Sequence, residues 1–196
     1  MKGSTIILLG IIGLITAVNY YIKNLDVVYV KSNVDGREYR IADAPDKQQM
    51  ADMFGTINEK AIKLINFLKT NNKNHGETKE EDINRLCKNY NPSVLGENLE
   101  YKSYKAYTLN KGSEVVLCMR NTDGTLITDS NTMIFVLIHE LGHIMTYDNG
   151  HPPIFWKNMG FLLKIADQLG IYRPIDYSKT PVDYCGTKID QTPYQF

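Results

Sequence analysis

His139-Glu140-Leu141-Gly142-His143 stands inside a strongly apolar run from Asn131 to about Tyr147. The run reads as one helix, capped at its start by Asp129 or Ser130. Four residues are slightly more than one helical turn, so both imidazoles leave the same face and can hold a single metal ion. Glu140 lies about 100° around the helix from His139, which leaves it free to hydrogen-bond a water on the metal. Zinc lowers the pKa of such a water to about 7, and a carboxylate can take its proton as it attacks a peptide carbonyl. Three of the four histidines fall between positions 139 and 151. Burying His, Glu and His in an apolar helix is costly unless they have partners or a ligand.

A catalytic zinc needs a third protein ligand and an open fourth position. His151 is the leading candidate. Asp148-Asn149-Gly150 can reverse the chain after the helix, with Gly150 free to adopt positive φ, and Pro152-Pro153 then starts the next helix. Asp148, nearer in sequence, and Asp167, on the following helix, are the alternatives. His75, in a polar loop, reads as a solvated side chain.

Working outward, Pro152-Pro153 to Gly170 forms the last helix. Upstream, Asp43-Ala44-Pro45 opens a long helix whose stripe is Met50, Met53, Phe54, Ile57, Ala61, Leu64, Ile65 and Leu68, ending near Thr70. A shorter helix covers Lys79 to Lys88, stopped by Asn91-Pro92. Val27–Ser32 and Arg37–Ala42 read as two short strands, and Tyr104–Leu109 and Glu114–Arg120 as a hairpin about Asn110-Lys111-Gly112. The tail from Ile171 to Phe196 reads as irregular. There is no internal repeat.

With 196 residues, 43% hydrophobic, the chain has room for one real core. Lys plus Arg and Asp plus Glu both number 22, so no basic surplus marks a nucleic-acid partner, and none is expected. Cys87, Cys118 and Cys185 are too few and scattered for a disulfide-built fold and lack paired zinc spacing. They read as unpaired thiols, which suits a reducing compartment.

From Gly3 to Ile22 no charged residue interrupts 20 positions between Lys2 and Lys23. As a helix this would span roughly 30 Å, a bilayer's hydrocarbon thickness. Residues 3–22 therefore read as a transmembrane anchor, with Tyr20 and Tyr21 at its far boundary. A signal peptide cut after Ala17 is the alternative, with Ile15 standing against it. Lys23, Lys31, Arg37 and Arg40 follow the span against Lys2 before it, which places the domain on the cytoplasmic side of a single-pass protein. The expected division is residues 1–24 as anchor and 25–196 as the folded domain. Tethering would direct the site to protein or peptide substrates at a membrane surface.

The motif is not the long metzincin form, because Thr146 and Asn149 occupy the positions of its glycine and third histidine. It resembles the WLM and SprT-like minimal zinc proteases, in which a third histidine and an aromatic helix start follow the motif. Here those residues are Gly150-His151-Pro152-Pro153-Ile154-Phe155-Trp156. More closely, the chain is similar to an uncharacterised family of WLM-like proteins of large DNA viruses and some algae. The supporting stretches are Val34-Asp35-Gly36-Arg37-Glu38-Tyr39, Pro45-Asp46-Lys47-Gln48, Phe155-Trp156-Lys157-Asn158 and Tyr184-Cys185-Gly186. The resemblance covers about residues 30 to 190. It implies an α+β zincin-like domain: an upstream helix, a small sheet, the active-site helix and a helix behind the third ligand. WLM and SprT-like proteases are associated with protein crosslinked to DNA. Without Lys2 and Lys23, 20 basic face 22 acidic residues, which argues against that substrate here.

The expectation is a membrane-tethered zinc metallopeptidase, with His139, His143 and His151 holding Zn²⁺ and Glu140 as general base. The alternative is a catalytically inactive zinc-binding or structural membrane protein, for example of a large DNA virus. Tyr184 is a candidate oxyanion stabiliser, against a packing role. Glu114–Arg120 is either a substrate-holding sheet edge or an interior strand. Cys185 reads as structural, and Phe155, Trp156, Met159, Leu162, Leu163 and Leu169 as core.

Overall fold

In the computed structural model, which describes residues 9, 11–14, 27–71, 78–99 and 105–196, an α+β domain is built on a five-stranded mixed sheet. In chain order the elements are β1 (Val27–Lys31), β2 (Glu38–Ala42), α1 (Lys47–Thr70), α2 (Glu80–Asn89), β3 (Leu95–Glu97), β4 (Ala106–Leu109), β5 (Glu114–Leu117), α3 (Ser130–Met145), α4 (Pro153–Gln168), β6 (Val182–Tyr184) and β7 (Thr187–Ile189). The sheet order is β1-β2-β3-β5-β4, with both β3 pairings parallel and the outer pairs antiparallel.

Alternation sorts the residues between faces. Tyr39 and Ile41 of β2, and Val115 and Leu117 of β5, turn into the core, where the ring of Tyr39 stacks on Phe54 of α1 at 5.4 Å. The apolar stripe of α1 is buried as its periodicity demands, with Met50, Phe54, Ala61, Leu64 and Leu68 inside. The helix starts at Lys47, later than the Asp43-Ala44-Pro45 signal implies. The side chain of Asp46 is taken instead by Arg120, which donates to both its oxygens at 2.8 Å and to Glu97 of β3 at 2.8 Å. That cross-link ties the start of α1 to the sheet.

Helix α3 is capped by Asp129, which accepts from the amide of Asn131 and the hydroxyl of Thr132. Helix α4 ends before Gly170, whose φ is +65°. Two expectations need correction here. The tail is not wholly irregular: β6 and β7 form a hairpin turned at Cys185-Gly186. Nor are the cysteines all unpaired, because Cys118 and Cys185 form a disulfide that pins this hairpin to the residue after β5, leaving Cys87 free.

The transmembrane anchor is also overturned. No helix among the described residues is long and apolar enough to cross a membrane; within 3–22 the described residues are 9 and 11–14. The single-pass location with the domain on a cytoplasmic face falls with it. The expected boundary at residues 24 and 25, and His75, lie outside the described residues.

Candidate metal centre

His139 and His143 leave α3 one turn apart, and their ring centroids are 4.9 Å apart. Past the end of the helix, Gly150 takes φ +72° and returns His151 to the same place. Its Nε2 lies 3.0 Å from Nε2 of His139, and its ring is 4.8 Å from that of His143. One ring nitrogen from each residue can be chosen so that all three lie within 4.8 Å of one another. The described residues thus bring together the three histidines that the spacing singled out.

The floor of this triangle is Phe155 of α4, fully buried, with its ring 4.5 to 4.9 Å from each imidazole. Gly142 makes that approach possible. A Cβ at this position would stand 3.0 Å from Cε2 of Phe155. Trp156, expected in the core, is instead 40% exposed and stacks on His151 at 5.4 Å. Of the other residues expected in the core, Met159, Leu162 and Leu163 are buried, and Leu169, just past α4, is partly buried.

Burial decides the charge states. It holds the pKa of His139 down to about 3, helped by His143 and His151. It holds His143 at about 4, with His151 and Lys111 adding to the effect, and lowers His151 as well. At neutral pH all three imidazoles are therefore uncharged, the form that can donate a lone pair to a metal. Glu140, 3% exposed, is pushed up to about 7 by burial, while the hydroxyl of Thr108 works against the shift. Thr108 donates to Oε2 of Glu140 at 2.8 Å.

Thr108 lies on β4, an outer strand, and of the two readings of Glu114 onward the interior strand is the one found. Strand β5 is interior, between β3 and β4, so the edge beside α3 belongs to β4. A cleft of about 450 Å³ runs there, walled by Ala106 to Thr108, the three histidines, Glu140 and Lys111. The alternative third ligands, Asp148 and Asp167, do not join the histidine cluster among the described residues. The backbone carbonyl of Asp148 accepts from Lys111 at 2.8 Å, and the carboxylate of Asp167 accepts from Tyr194 at 2.6 Å. Tyr184 does not line the cleft. Its buried hydroxyl donates to the carbonyl of Cys118 at 2.8 Å, beside the disulfide. Thr108 carried no signal in the sequence, because its value comes from a strand pairing.

An uncharacterized protein of Acanthamoeba polyphaga mimivirus is 33% identical to this chain over 188 residues, covering 94% of it and 93% of the mimivirus protein. The chain belongs to the family of that mimivirus protein. Two shorter likenesses accompany it. An uncharacterized protein of Invertebrate iridescent virus 3 is 39% identical over 70 residues, 36% of this chain and 43% of that protein. One of Invertebrate iridescent virus 6 is 30% identical over 84 residues, 42% of this chain and 47% of its own. No family model matches the chain, and no solved structure does.

Proposed function

We propose that this viral-family protein is a zinc-dependent metallopeptidase, with the metal held by His139, His143 and His151 and Glu140 as general base. The observation that carries the reading is the convergence of three neutral imidazoles in a cleft whose wall also holds Glu140. The donor set fits zinc: three nitrogens of borderline softness, with an open side toward the cleft for a fourth position. Zinc held there would supply Lewis acidity, letting a water lose its proton near pH 7.

The chain's own residues divide the remaining work. Burial near pKa 7 poises Glu140 between taking and returning a proton at neutral pH. Thr108 fixes Oε2, and it is the only donor to this carboxylate among the described residues, which leaves Oε1 to meet the water. Phe155 beneath the histidines and Trp156 against His151 lock the ring orientations. The outer edge of β4 offers backbone groups along which an extended peptide can lie as an added strand. That edge is the reason for naming a peptide as substrate.

The test uses the purified full chain. Expected are one equivalent of bound zinc and cleavage of a broad peptide library by the wild type but not by Glu140→Gln. Zinc at one equivalent without any cleavage would leave a non-catalytic zinc protein, and failure to bind zinc would remove both readings.

A further inference from the structure

A second depression, of about 740 Å³, adjoins the metal cleft, and Lys111 and Asn149 line both. Its walls are the end of α2, the turn between β4 and β5, and the segment after α3, which contribute Arg85, Lys88, Lys111, Tyr147 and Asp148. Each cation is placed differently. The guanidinium of Arg85 is fixed by the carboxylate of Asp82 at 2.6 Å and the carbonyl of Met145 at 2.5 Å, over the ring of Tyr147 at 5.5 Å. Its charge is thus largely answered by Asp82. The ammonium of Lys111 donates to a backbone carbonyl, that of Asp148, rather than to a carboxylate. Lys88 is exposed and has no carboxylate within ion-pair distance among the described residues. Against these two ammonium groups stands the exposed carboxylate of Asp148. The wall keeps a positive excess in a chain of zero net charge.

We infer that this annex binds an acidic side chain of the peptide substrate, which makes Lys88 and Lys111 specificity-determining residues. The inference rests on the peptidase reading above. Strand β4 runs from Ala106 to Leu109 along the cleft, and Asn110 and Lys111 form the turn that follows it. A peptide extended along β4 and over the histidines therefore leaves the cleft at Lys111 and enters the annex. A solvated basic patch would lack this geometry. Here the charges line a concavity that shares Lys111 and Asn149 with the cleft of the histidines, and Lys111 is pinned to the backbone carbonyl of Asp148. A carboxylate arriving there meets the exposed ammonium of Lys88 and the half-buried one of Lys111, and beside Lys111 the attraction is screened less than on an open surface.

The test separates this site from the peptidase reading by measuring binding and cleavage on the same probes. Two degenerate dodecapeptide pools are used, one with a fixed central Glu and the other with Gln. On the Glu140→Gln full chain in zinc-containing buffer, the Glu pool should bind about tenfold more tightly at low salt, a difference worth about 1.4 kcal/mol. Lys88→Glu should bring that ratio to one or below, with circular dichroism and zinc content unchanged. Wild type should cut the Glu pool at one fixed distance from the Glu. Equal binding of the two pools, or a ratio indifferent to Lys88→Glu, would overturn the annex. A preserved ratio with no cleavage of either pool would overturn the peptidase and leave an acidic-peptide site. A single-stranded DNA dodecamer that binds more tightly than the Glu pool, with the same Lys88 dependence, would overturn the acidic peptide as occupant.

Discussion

The hydroxyl of Thr108, on an outer strand, donates to Oε2 of Glu140, on the helix, at 2.8 Å. This bond joins the element that would carry a peptide to the group that would move its proton. It also holds the pKa of Glu140 down against burial. Thr108→Val keeps the shape and removes the donor. The acid limb of the kcat/KM profile should then move to higher pH, and activity at neutral pH should fall about tenfold or more, the scale of a hydrogen bond to a charged group. An unmoved acid limb would detach Thr108 from the chemistry.

His151 closes the histidine triangle from outside the helix. His151→Ala should weaken zinc binding by at least about 10- to 100-fold, measured by competition with a chromogenic chelator. Asp167→Ala should leave zinc affinity within a factor of two, because its carboxylate is engaged by Tyr194. The reverse pattern would reassign the third ligand to Asp167.

Gly142→Ala places a methyl 3.0 Å from the ring of Phe155. Overpacking of this kind costs about 1–3 kcal/mol, and here it also pushes on the floor beneath the imidazoles. Both the urea midpoint and zinc affinity should fall, and Phe155→Leu in the same chain should recover part of the stability. A Gly142→Ala protein of unchanged stability and affinity would mean that Phe155 gives way freely.

The half-buried His139 and His143 and the buried Glu140 act on stability in opposite directions with pH. Folding lowers the pKa of His139 and His143 from 6.5 to about 3 and 4, so the unfolded chain binds more protons below pH 6.5. Their contribution is complete above 6.5 and is lost as the pH falls toward 4. Glu140, raised from 4.5 to about 7, contributes stability below 4.5 that is lost as the pH rises through 7. Two strongly shifted imidazoles outweigh one carboxylate, so the zinc-free chain should lose stability from pH 6.5 to 4.5. Glu140→Gln should make the fall steeper. Urea midpoints across that range measure both, and a flat profile would contradict the burial of these groups.

The Cys118–Cys185 disulfide spans 67 residues. Closing a loop of that length is worth about 4 kcal/mol in the chain-entropy account, with observed values of roughly 2–5. Cys185→Ser, compared with wild type by urea unfolding without reductant, should therefore be destabilised by about 2–4 kcal/mol. Addition of reductant should bring wild type down to the variant. Indifference of wild type to reductant would mean that the β6–β7 hairpin is held by packing alone.

Local chemistry written in the chain determined a great deal of this molecule. The stripe of α1, the two histidines on one face of α3 and the return of His151 through Gly150 all depend on residues a few positions apart. Helical periodicity and a positive φ at glycine are short-range properties, so the sequence states them directly. Only the tertiary structure decided what those residues meet. Strand β3 is three residues long with a glycine at its centre, and it becomes the middle of the sheet through parallel partners far away in sequence. That insertion makes β5 interior and β4 the edge, and so sets Thr108 against Glu140. The pairing of Cys118 with Cys185 and the seat of Phe155 under three imidazoles arise in the same way. Each depends on which distant surfaces are brought together when apolar area is buried, and no window of neighbouring residues records that.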